Sequence, residues 1–333
     1  MSDVFAFGVG LAHTGSTGAI LDCLFPQPLL RPEGDHKDAA LRFSPGTTTV
    51  QPGEIAVAND AVDGQLVPAA LLEVDQPLTV VNLSADDAIA DTASAYLKLH
   101  LLSHRLTLPN TMNLDGIFAH LPNLAWTSAG PIEVDALNDA VIAARARGSH
   151  LEIMSVDKFP KMVNYVVPPG VRIADASRIR LGAYLGDGTT VMHEGFVNFN
   201  AGALGPNMVE GRISQGVVIA GGTDLGGSAS TMGTLSGGGE ITITLGENCL
   251  VGANAGTGIP LGDRCTIEAG LYITAGTVVS VVDETGDEVR KAKARELAGG
   301  SDMLFIRNSQ TGQVICRTNR RAIALNDTLH AHN

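Results

Sequence analysis

The segment Asn207–Gly216 holds the two side chains whose types and spacing most clearly suggest chemistry. Glu210 and Arg212 are two residues apart, so in an extended chain both side chains point to the same side. A carboxylate can act as a general base or as a nucleophile, and a guanidinium can bind a carboxylate through two parallel hydrogen bonds. The alternative is a solvated pair of charges on the surface. The spacing alone leaves both interpretations open.

A second candidate lies in Gly188–Gly202, where His193 and Glu194 interrupt a column of apolar residues that should face inward. In a trimer, three copies of such a side chain can meet on the symmetry axis. Three facing carboxylates repel one another unless they are protonated or neutralised by a cation. The alternative is that both side chains lie on an outer face.

A third candidate is a basic cluster in a chain whose formal net charge is -13. The cluster consists of Arg290, Lys291, Lys293 and Arg295, with Arg307 beyond it. A local positive patch can bind an anion against the overall negative field of an acidic protein. We therefore expect this cluster to bind the phosphates of a nucleotide-like cofactor.

A six-residue repeat must position these side chains, because apolar or small residues recur at that spacing through much of Val171–Val279. Such a repeat is typical of a parallel β-helix, in which each inward residue stacks on the same position of the next coil. A flexible glycine-rich linker would not keep this spacing. The inward columns are Ile173, Ile179, Leu185, Val191 and Val197; Ile213, Ile219 and Leu225; and Ile243, Cys249, Ala255, Leu261, Ile267, Ile273 and Val279.

The repeat changes phase once, because Val197 and Ile213 are sixteen residues apart, which is not a multiple of six. The coil should therefore be irregular between Phe199 and Arg212, the interval that contains Glu210. A β-helix is a scaffold that implies no reaction by itself, so function must come from polar residues that break its pattern. Spacing alone favours a solvated surface pair, and the phase change gives the functional interpretation of Glu210 equal weight. The handedness of the helix does not follow from the repeat.

The residues before the repeat, 1–165, are predicted to form an α/β domain. Val4–Ala12 and Pro77–Ser84 have the composition of strands. Gly8–Gly18 resembles a phosphate-binding loop but matches neither common glycine motif, so a turn between strands is expected.

Two helices are predicted in this domain, one over 86–105 that is capped near Ser84 and one over Val134–Arg147. His100 and His104 have a spacing that is compatible with metal binding. No acidic residue lies between them in the manner of H-E-x-x-H, so packed or helix-surface histidines are favoured.

The predicted domains are 1–165, the β-helix over 166–280 and a small C-terminal β extension over 281–333. The extension should contain a charged hairpin or helical turn in Asp283–Gly300, followed by two strands in Asp302–Thr318.

Composition excludes several functional classes for these 333 residues. The negative net charge argues against nucleic acid as a partner. Cys23, Cys249, Cys265 and Cys316 are scattered, and Cys249 and Cys265 lie near the apolar columns, so buried thiols are favoured over disulfides or metal ligands. No apolar run is long enough to cross a membrane, and the start of the chain lacks a basic signal region. We therefore expect a cytoplasmic protein with no membrane partner.

Seven stretches of this sequence resemble tetrahydrodipicolinate N-succinyltransferases, in the form found in actinobacteria. They cover nearly all of residues 157–310, whereas the N-terminal domain is more weakly similar. The stretches are DKFPKMVNYVVP (Asp157–Pro168), VMHEGFVNFNAGALG (Val191–Gly205), MVEGRIS (Met208–Ser214), MGTLSGGG (Met232–Gly239), EAGLYITAGT (Glu268–Thr277), KARELAG (Lys293–Gly299) and RNS (Arg307–Ser309).

The resemblance implies a left-handed parallel β-helix, a homotrimer, and succinyl transfer from succinyl-coenzyme A to a cyclic imine dicarboxylate of lysine and diaminopimelate synthesis. The family's catalytic glutamate, described as forming an acyl anhydride, matches Glu210, and the arginine that binds the substrate carboxylate matches Arg212. Further substrate and coenzyme A contacts match Gly227, Ser230, Ala253, Glu268, Ala269, Gly276, Lys293, Ile306, Arg307, Asn308 and Ser309.

The resemblance also implies Mg²⁺ on the trimer axis, with Glu194 as its ligand. This chain departs from the pattern at Ser177, where some family members have a further aspartate ligand. The departure affects the metal site and leaves the catalytic residues unchanged.

Three questions stay open at the level of the sequence. Glu210 could take the proton of the attacking amine or could itself attack the thioester. The donor could be acetyl-coenzyme A, in which case His193 is the candidate base. The chain could also be a binding or assembly β-helix without a reaction. An anhydrase-like version of this last alternative needs histidine ligands on several coils, and the one histidine between residues 151 and 329 cannot supply them from one chain.

Overall fold

The computed structural model describes residues 3–63, 65–233 and 242–318, which fall into two compact units. The first unit runs to Pro160 and includes Asn164–Val166, and the second contains Lys161–Val163 and the chain from Val167 onward. The division into domains at 165/166 and 280/281 stays a prediction.

The first unit combines two antiparallel sheets with helices, as expected for an α/β domain. One sheet has the order β2-β1-β5-β4 with β3 beside β1, and the other has the order β7-β6-β8. The elements are β1 Ala6–Thr14, β2 Ile20–Leu24, β3 Leu29–Leu30, α1 Gly34–Ala40, β4 Gly46–Val50, α2 Pro52–Asn59, β5 Leu78–Leu83, α3 Thr92–Ser103, α4 Ile117–His120, β6 Leu124–Thr127, β7 Gly130–Glu133, α5 Leu137–Ala146 and β8 Ile153–Asp157.

Helix α3 begins six residues later than the sequence predicts, at Thr92. Asp91 is its N-cap and accepts a hydrogen bond from the Ser94 backbone at 2.7 Å. The predicted first residue, Asp86, binds elsewhere, because its Oδ1 accepts from Lys98 Nζ at 2.7 Å. Lys98 is almost fully buried, so this ion pair ties the segment before the helix to the helix itself.

Of the two histidines considered for a metal site, His100 is a packed residue within α3, as the sequence predicts, and His104 is the half-buried C-cap of this helix. His100 is fully buried, its Nδ1 lies 2.7 Å from the Tyr96 carbonyl, and its Nε2 accepts from the Phe25 backbone at 3.2 Å. Burial lowers the pKa of His100 to about 3. Both of its nitrogens are therefore occupied by hydrogen bonds of the fold.

The second unit is built from very short parallel strands that stack into three faces, which confirms the predicted β-helix. Its strands are β9 Arg172–Ile173, β10 Tyr184–Leu185, β11 Thr189–Val191, β12 Phe196–Val197, β13 Gly202–Ala203, β14 Asn207–Val209, β15 Arg212–Ile213, β16 Val218–Ile219, β17 Asp224–Leu225, β18 Ser230–Thr231, β19 Thr244–Leu245, β20 Leu250–Val251, β21 Gly256–Thr257, β22 Thr266–Ile267 and β23 Tyr272–Ile273.

We call the faces A, B and C in the order in which the chain visits them. Face A contains β9, β11, β14, β17, β20 and β22; face B contains β12, β15, β18, β21 and β23; and face C contains β10, β13, β16 and β19. The predicted inward columns are buried at 3% exposure or less, except for half-buried Ile173 in the first coil. The column predicted from Ile243 is nevertheless wrong as a single stack, because Ile219 pairs with Leu245 and Leu245 pairs with Leu261. Its first three residues thus lie two positions before the stacked residues, and its later ones lie at them. The apolar stack is therefore the core of this unit.

The predicted irregularity lies in the corner between faces A and B. Val197 on face B pairs with Ile213 of the next coil, so this coil contains sixteen residues. Within this coil, Val209 ends the face A strand and Arg212 begins the face B strand, so only Glu210 and Gly211 form the corner. Other corners of this edge use four residues, such as 226–229 between β17 and β18. Glu210 therefore lies in a shortened corner.

The last elements extend the stack on face A. They are β24 Val278–Val282, β25 Glu288–Lys293, β26 Met303–Arg307 and β27 Val314–Thr318. β26 pairs in parallel with β22, and β24 forms an antiparallel hairpin with β25, so the charged hairpin and the two later strands are both confirmed.

The predictions for the cysteines and for membrane spans can be compared with the structure. All four cysteines are buried free thiols. Within the described residues, no helix has the length and apolar character required to cross a bilayer.

Candidate active site

Most of the predicted site residues lie along one edge of the β-helix, where face A turns into face B. The corners of successive coils are joined by backbone hydrogen bonds from Ser228 to Glu210 at 3.2 Å, from Asn254 to Gly227 at 2.9 Å and from Gly270 to Ala253 at 2.8 Å. We call this row of corners the A–B edge. It brings together Glu194, Glu210, Gly227, Ala253, Glu268 and Ala269.

Two carboxylates of this edge converge on Gly227. A Cβ atom added to Gly227 would lie 3.6 Å from Glu210 Oε2 and 3.7 Å from Glu194 Oε2. Any longer side chain at position 227 would therefore occupy the space that these carboxylates face. Glu194 is exposed and Glu210 is half-buried, so both can reach a ligand at this point.

Arg212 lies beside this edge on face B and is held by the next coil. It pairs with Ser230, and its Nη2 donates to Ser230 Oγ at 2.7 Å. Glu210 lies in the corner and Arg212 begins the next strand, so the prediction that both side chains point to one side of a single extended strand is wrong. Their proximity follows instead from the shortened corner.

An open cavity of 550 Å³ covers the Arg212 side of the edge. It contains two guanidinium groups, from Arg178 and Arg212. Glu210 lies outside this set of lining residues, and its position is defined by its approach to Gly227. The cavity is lined by Arg178, His193, Glu194, Phe196, Gly211, Arg212, Ser228, Ala229 and Ser230.

Arg178 is a site residue that the sequence reasoning missed. It donates to the Glu194 carbonyl at 2.8 Å and to the Gly195 carbonyl at 3.2 Å. Ile179 pairs with Val197 on face B, so Arg178 precedes an inward residue just as Arg212 does. Examination of the position before each inward residue would therefore have placed Arg178 and Arg212 in one outward column.

Glu268 brings a second group of predicted residues together farther along the same edge. Its Oε2 accepts from the Arg307 backbone at 2.7 Å, and its own N–H donates to the Phe305 carbonyl at 3.0 Å. The end of β26, with Ile306, Arg307, Asn308 and Ser309, therefore lies next to the A–B edge.

Gly276 and Lys293 lie at the end of the helix, after the last coil. Lys293 pairs with Val278, and Ala294 donates to the Thr277 carbonyl at 2.8 Å, so the Lys293 segment runs beside the Gly276 segment. Lys293 is exposed, as a phosphate ligand should be. The predicted residues thus form three groups: one around Glu210, one around Glu268 and one around Lys293.

The described residues of one chain offer few ligands for a metal ion at Glu194. The described residues contain no group of three His, Cys, Asp or Glu side chains that could hold a metal ion. Glu194 Oε2 accepts from Ser228 Oγ at 3.0 Å. Ser177 Oγ donates to Asp175 Oδ1 at 2.6 Å, so this position offers a hydroxyl that is already engaged. A metal ion at Glu194 would therefore need ligands besides the described residues of one chain.

Two family models match parts of the chain. The model described as the hexapeptide repeat of succinyl-transferase matches residues 242–275, within the β-helix. The model described as the middle of tetrahydrodipicolinate N-succinyltransferase matches residues 121–161, which contain β6, β7, α5 and β8. One stretch of the predicted resemblance, Met232–Gly239, lies largely outside the described residues.

Curated relatives match nearly the whole chain. Proteins named 2,3,4,5-tetrahydropyridine-2,6-dicarboxylate N-succinyltransferase are 53% identical in Pseudomonas putida, 54% in Pseudomonas aeruginosa and 52% in Vibrio cholerae. Each alignment covers 98% or 99% of both proteins. The similarity therefore extends through the N-terminal unit. The actinobacterial form stays a prediction, since these relatives come from Pseudomonas and Vibrio.

A solved structure has the same fold. The crystal structure of a Campylobacter jejuni protein described as a putative 2,3,4,5-tetrahydropyridine-2-carboxylate N-succinyltransferase superimposes with a TM-score of 0.87 at 31% identity. The match covers 97% of this chain and 94% of the other. Together with the hexapeptide match, it supports a left-handed β-helix preceded by an α/β domain.

Proposed function

This chain belongs to the tetrahydrodipicolinate N-succinyltransferase family, and from that premise we propose that it transfers the succinyl group of succinyl-coenzyme A to the nitrogen of tetrahydrodipicolinate. The product is N-succinyl-2-amino-6-oxopimelate, an intermediate of lysine and diaminopimelate biosynthesis. The observation that carries this assignment is the 52% to 54% identity to enzymes of that name over nearly full length.

The reaction requires one bond to form and one to break at the thioester carbonyl. Water opens the cyclic imine to an amino ketone, and the amine nitrogen attacks the succinyl carbonyl carbon. The nitrogen loses a proton, the carbon–sulfur bond breaks, and coenzyme A leaves as a thiol that carries a proton. The protein must therefore bind a dicarboxylate, accept a proton and hold a long thioester.

We assign dicarboxylate binding to the cavity beside the A–B edge. A guanidinium presents parallel donors that match a carboxylate, and Ser230 Oγ helps to fix this fork in Arg212. The acceptor has two carboxylates, and the cavity has a second guanidinium in Arg178. Two cationic groups in one cavity of an acidic chain support an acidic acceptor at this place.

We assign the proton acceptor or nucleophile to Glu210. Its carboxylate faces the free space at Gly227 and lies in the corner next to Arg212. A base in this corner could take the ammonium proton, whereas direct attack on the thioester would give a mixed anhydride that the amine then opens. Both routes use the same carboxylate.

We assign coenzyme A binding to the rest of the A–B edge. From Glu210 the edge passes Gly227 and Ala253 before it reaches Ala269, a span of about 14 Å at roughly 4.8 Å per coil. This row of small residues leaves room for an extended arm, and backbone groups can hydrogen-bond its amides. Lys293 and Arg307 beyond it then bind the phosphates.

Mg²⁺ at Glu194 and a homotrimer belong to the same proposal. The cavity beside Arg212 is open, and a neighbouring β-helix would supply its second wall. Three Glu194 side chains on a common axis would need a cation to offset their charge. Light scattering should therefore give about three times the 34.5 kDa of one chain, and an active monomer would contradict the trimer.

We also propose a cytoplasmic location, because the reaction uses a coenzyme A thioester of central metabolism.

A turnover assay that detects free thiol tests the proposed function. The purified chain should release coenzyme A from succinyl-coenzyme A only in the presence of the cyclic imine acceptor. Equal or faster turnover with acetyl-coenzyme A would favour the acetyl-transfer alternative. No turnover with either donor, at saturating acceptor, would favour a binding or assembly protein.

A further inference from the structure

A second cavity lies within the first unit, outside the proposed acyl-transfer machinery. It has a volume of 440 Å³ and is bordered by β1, β2 and the β6–β7 hairpin. Its walls are largely apolar and include Leu11, Leu24, Trp126, Pro131 and Met154. A concave, mostly apolar space with a few polar groups has the character of a small-molecule site.

A buried carboxylate organises the polar side of this cavity. Asp22 is 4% exposed and lies opposite His13 in the antiparallel pair of β1 and β2. Its Oδ1 lies 2.7 Å from His13 Nδ1, and its Oδ2 accepts from the Tyr165 hydroxyl at 2.5 Å. Burial raises the pKa of Tyr165, so this hydroxyl keeps its proton and donates it.

These contacts fix the chemical character of His13. A carboxylate accepts and does not donate, so the His13 nitrogen that faces Asp22 carries a proton. In the neutral imidazole the other nitrogen, Nε2, is then a hydrogen-bond acceptor. The described residues give Nε2 no hydrogen-bond partner. The His13 side chain is 62% exposed, so this nitrogen is accessible to a ligand.

The charge of the lining selects the kind of ligand. Asp22 is acidic, and none of the described residues that line the cavity is a lysine or an arginine. An anionic ligand would find a carboxylate and no cation to pair with. A protonated amine can instead donate to His13 Nε2, while its apolar body contacts Leu11, Leu24 and the Trp126 ring.

We propose that this cavity is a second ligand site, which binds a small organic cation that carries a primary amine on an apolar or aromatic body. Both substrates of the proposed reaction are anions, so neither has the charge that this cavity favours. The site therefore serves a ligand other than the acyl donor and acceptor.

The single tryptophan of the chain makes the proposal directly measurable. Trp126 lines the cavity, and its indole N–H donates to the Asp157 carbonyl at 3.0 Å, which holds the ring in place. Intrinsic tryptophan fluorescence therefore reports on this cavity alone. Benzylamine, benzyl alcohol and benzoate share one ring and differ in the polar group, so they form a matched set of probes.

We expect a saturable fluorescence change with benzylamine, weaker binding of benzyl alcohol and the weakest binding of benzoate. His13→Asn keeps an amide donor close to Asp22 and removes the Nε2 acceptor. It should lower benzylamine affinity by about tenfold, the factor expected for a hydrogen bond to a charged group. His150→Asn changes an exposed histidine of the same unit and should leave the affinity unchanged.

Three results would overturn the proposal. They are the absence of a saturable change with benzylamine, benzoate binding at least as tight as benzylamine, and unchanged benzylamine affinity in His13→Asn. The comparison of the three probes uses the unaltered protein, so it decides the matter even where His13→Asn lowers stability.

Discussion

Arg212 and Ser230 occupy neighbouring coils of face B, and Ser230 Oγ lies 2.7 Å from Arg212 Nη2 and 3.3 Å from its Nε. One hydroxyl thus contacts two nitrogens of the guanidinium and restrains its plane. Ser230 thereby sets the direction in which the other N–H donors of the Arg212 guanidinium point. This relationship connects the regular stacking of the coils to the carboxylate binding that we propose for Arg212.

Arg212→Lys should weaken acceptor binding, because an ammonium cannot reproduce the two parallel hydrogen bonds of a guanidinium. We expect the acceptor KM to rise by about ten- to a hundredfold, the range for hydrogen bonds to charged groups. Ser230→Ala removes the restraint and the ligand contact that the resemblance implies for this hydroxyl, but it keeps the guanidinium, so it should raise this KM less. Steady-state kinetics at saturating donor measure both. An acceptor KM that is unchanged in Arg212→Lys would remove this residue from the site.

Lys293→Ala should raise the KM for the coenzyme A donor and leave kcat nearly unchanged. Attraction to a phosphate is present equally in the ground state and the transition state, so it contributes uniform binding. Lys291→Ala is the matched control, since Lys291 is also exposed and lies two residues earlier on β25. Similar effects of both changes would indicate that the positive charge of the whole basic cluster attracts the donor. A large fall in kcat would contradict the assignment of Lys293.

The sequence could predict the β-helix because its geometry repeats locally. Each inward position must be apolar or small to stack on the next coil, so Ile267 and Ile273 carry the same signal as Ile213 and Ile219. The change of phase between Val197 and Ile213 likewise locates the shortened corner at Glu210. The repeat does not reveal two further irregular coils, in which Ile219 pairs with Leu245 and Leu245 pairs with Leu261. These features need no knowledge of contacts that are distant in sequence.

The remaining features depend on tertiary contacts that a local pattern does not contain. The start of α3 moves to Thr92 because Asp86 binds the buried Lys98, twelve residues later. Asp22 meets Tyr165, which is separated from it by 143 residues. No local periodicity relates such residues, so the second cavity could not be found in the sequence.

Glu194→Gln should abolish any stabilisation of the protein by Mg²⁺. If three Glu194 carboxylates face one another in the proposed trimer, a cation offsets their repulsion, and the neutral amide removes the need for it. The wild-type melting temperature should therefore rise with Mg²⁺, whereas that of the variant should not. The same Mg²⁺ response in both proteins would argue against a metal ion at this residue.

Acid should destabilise the first unit through His100. Its folded pKa of about 3 lies below the unfolded value of about 6.5, so between these values the unfolded chain binds a proton that the folded chain excludes. The free energy of unfolding should fall by about 1.4 kcal/mol per pH unit as the pH drops through this window. This contribution is fully present above about pH 6.5.

His100→Gln removes this titrating group. The free energy of unfolding should then depend less steeply on pH between pH 6 and 4, by the slope that corresponds to about one proton. Denaturant unfolding at several pH values measures the slope. His150→Gln, in an exposed position, should keep the wild-type slope. A wild-type slope in His100→Gln would show that other groups cause the acid sensitivity.

Glu210→Gln tests the central chemical assignment, because it keeps the size of the side chain and removes its charge. Glu210 lies in the shortened corner, faces the free space at Gly227 and is next to Arg212, so a carboxylate here can reach the reacting atoms. Loss of a general base lowers kcat by about 10²- to 10⁴-fold, and loss of a covalent route lowers it further. Coenzyme A binding should persist, since its proposed contacts lie on later coils. Rapid quenching with labelled donor distinguishes the two routes, because only a nucleophile leaves a transient acyl group on the wild-type protein. Near-normal turnover of Glu210→Gln would transfer the catalytic role to another residue, with His193 and Glu268 as the next candidates.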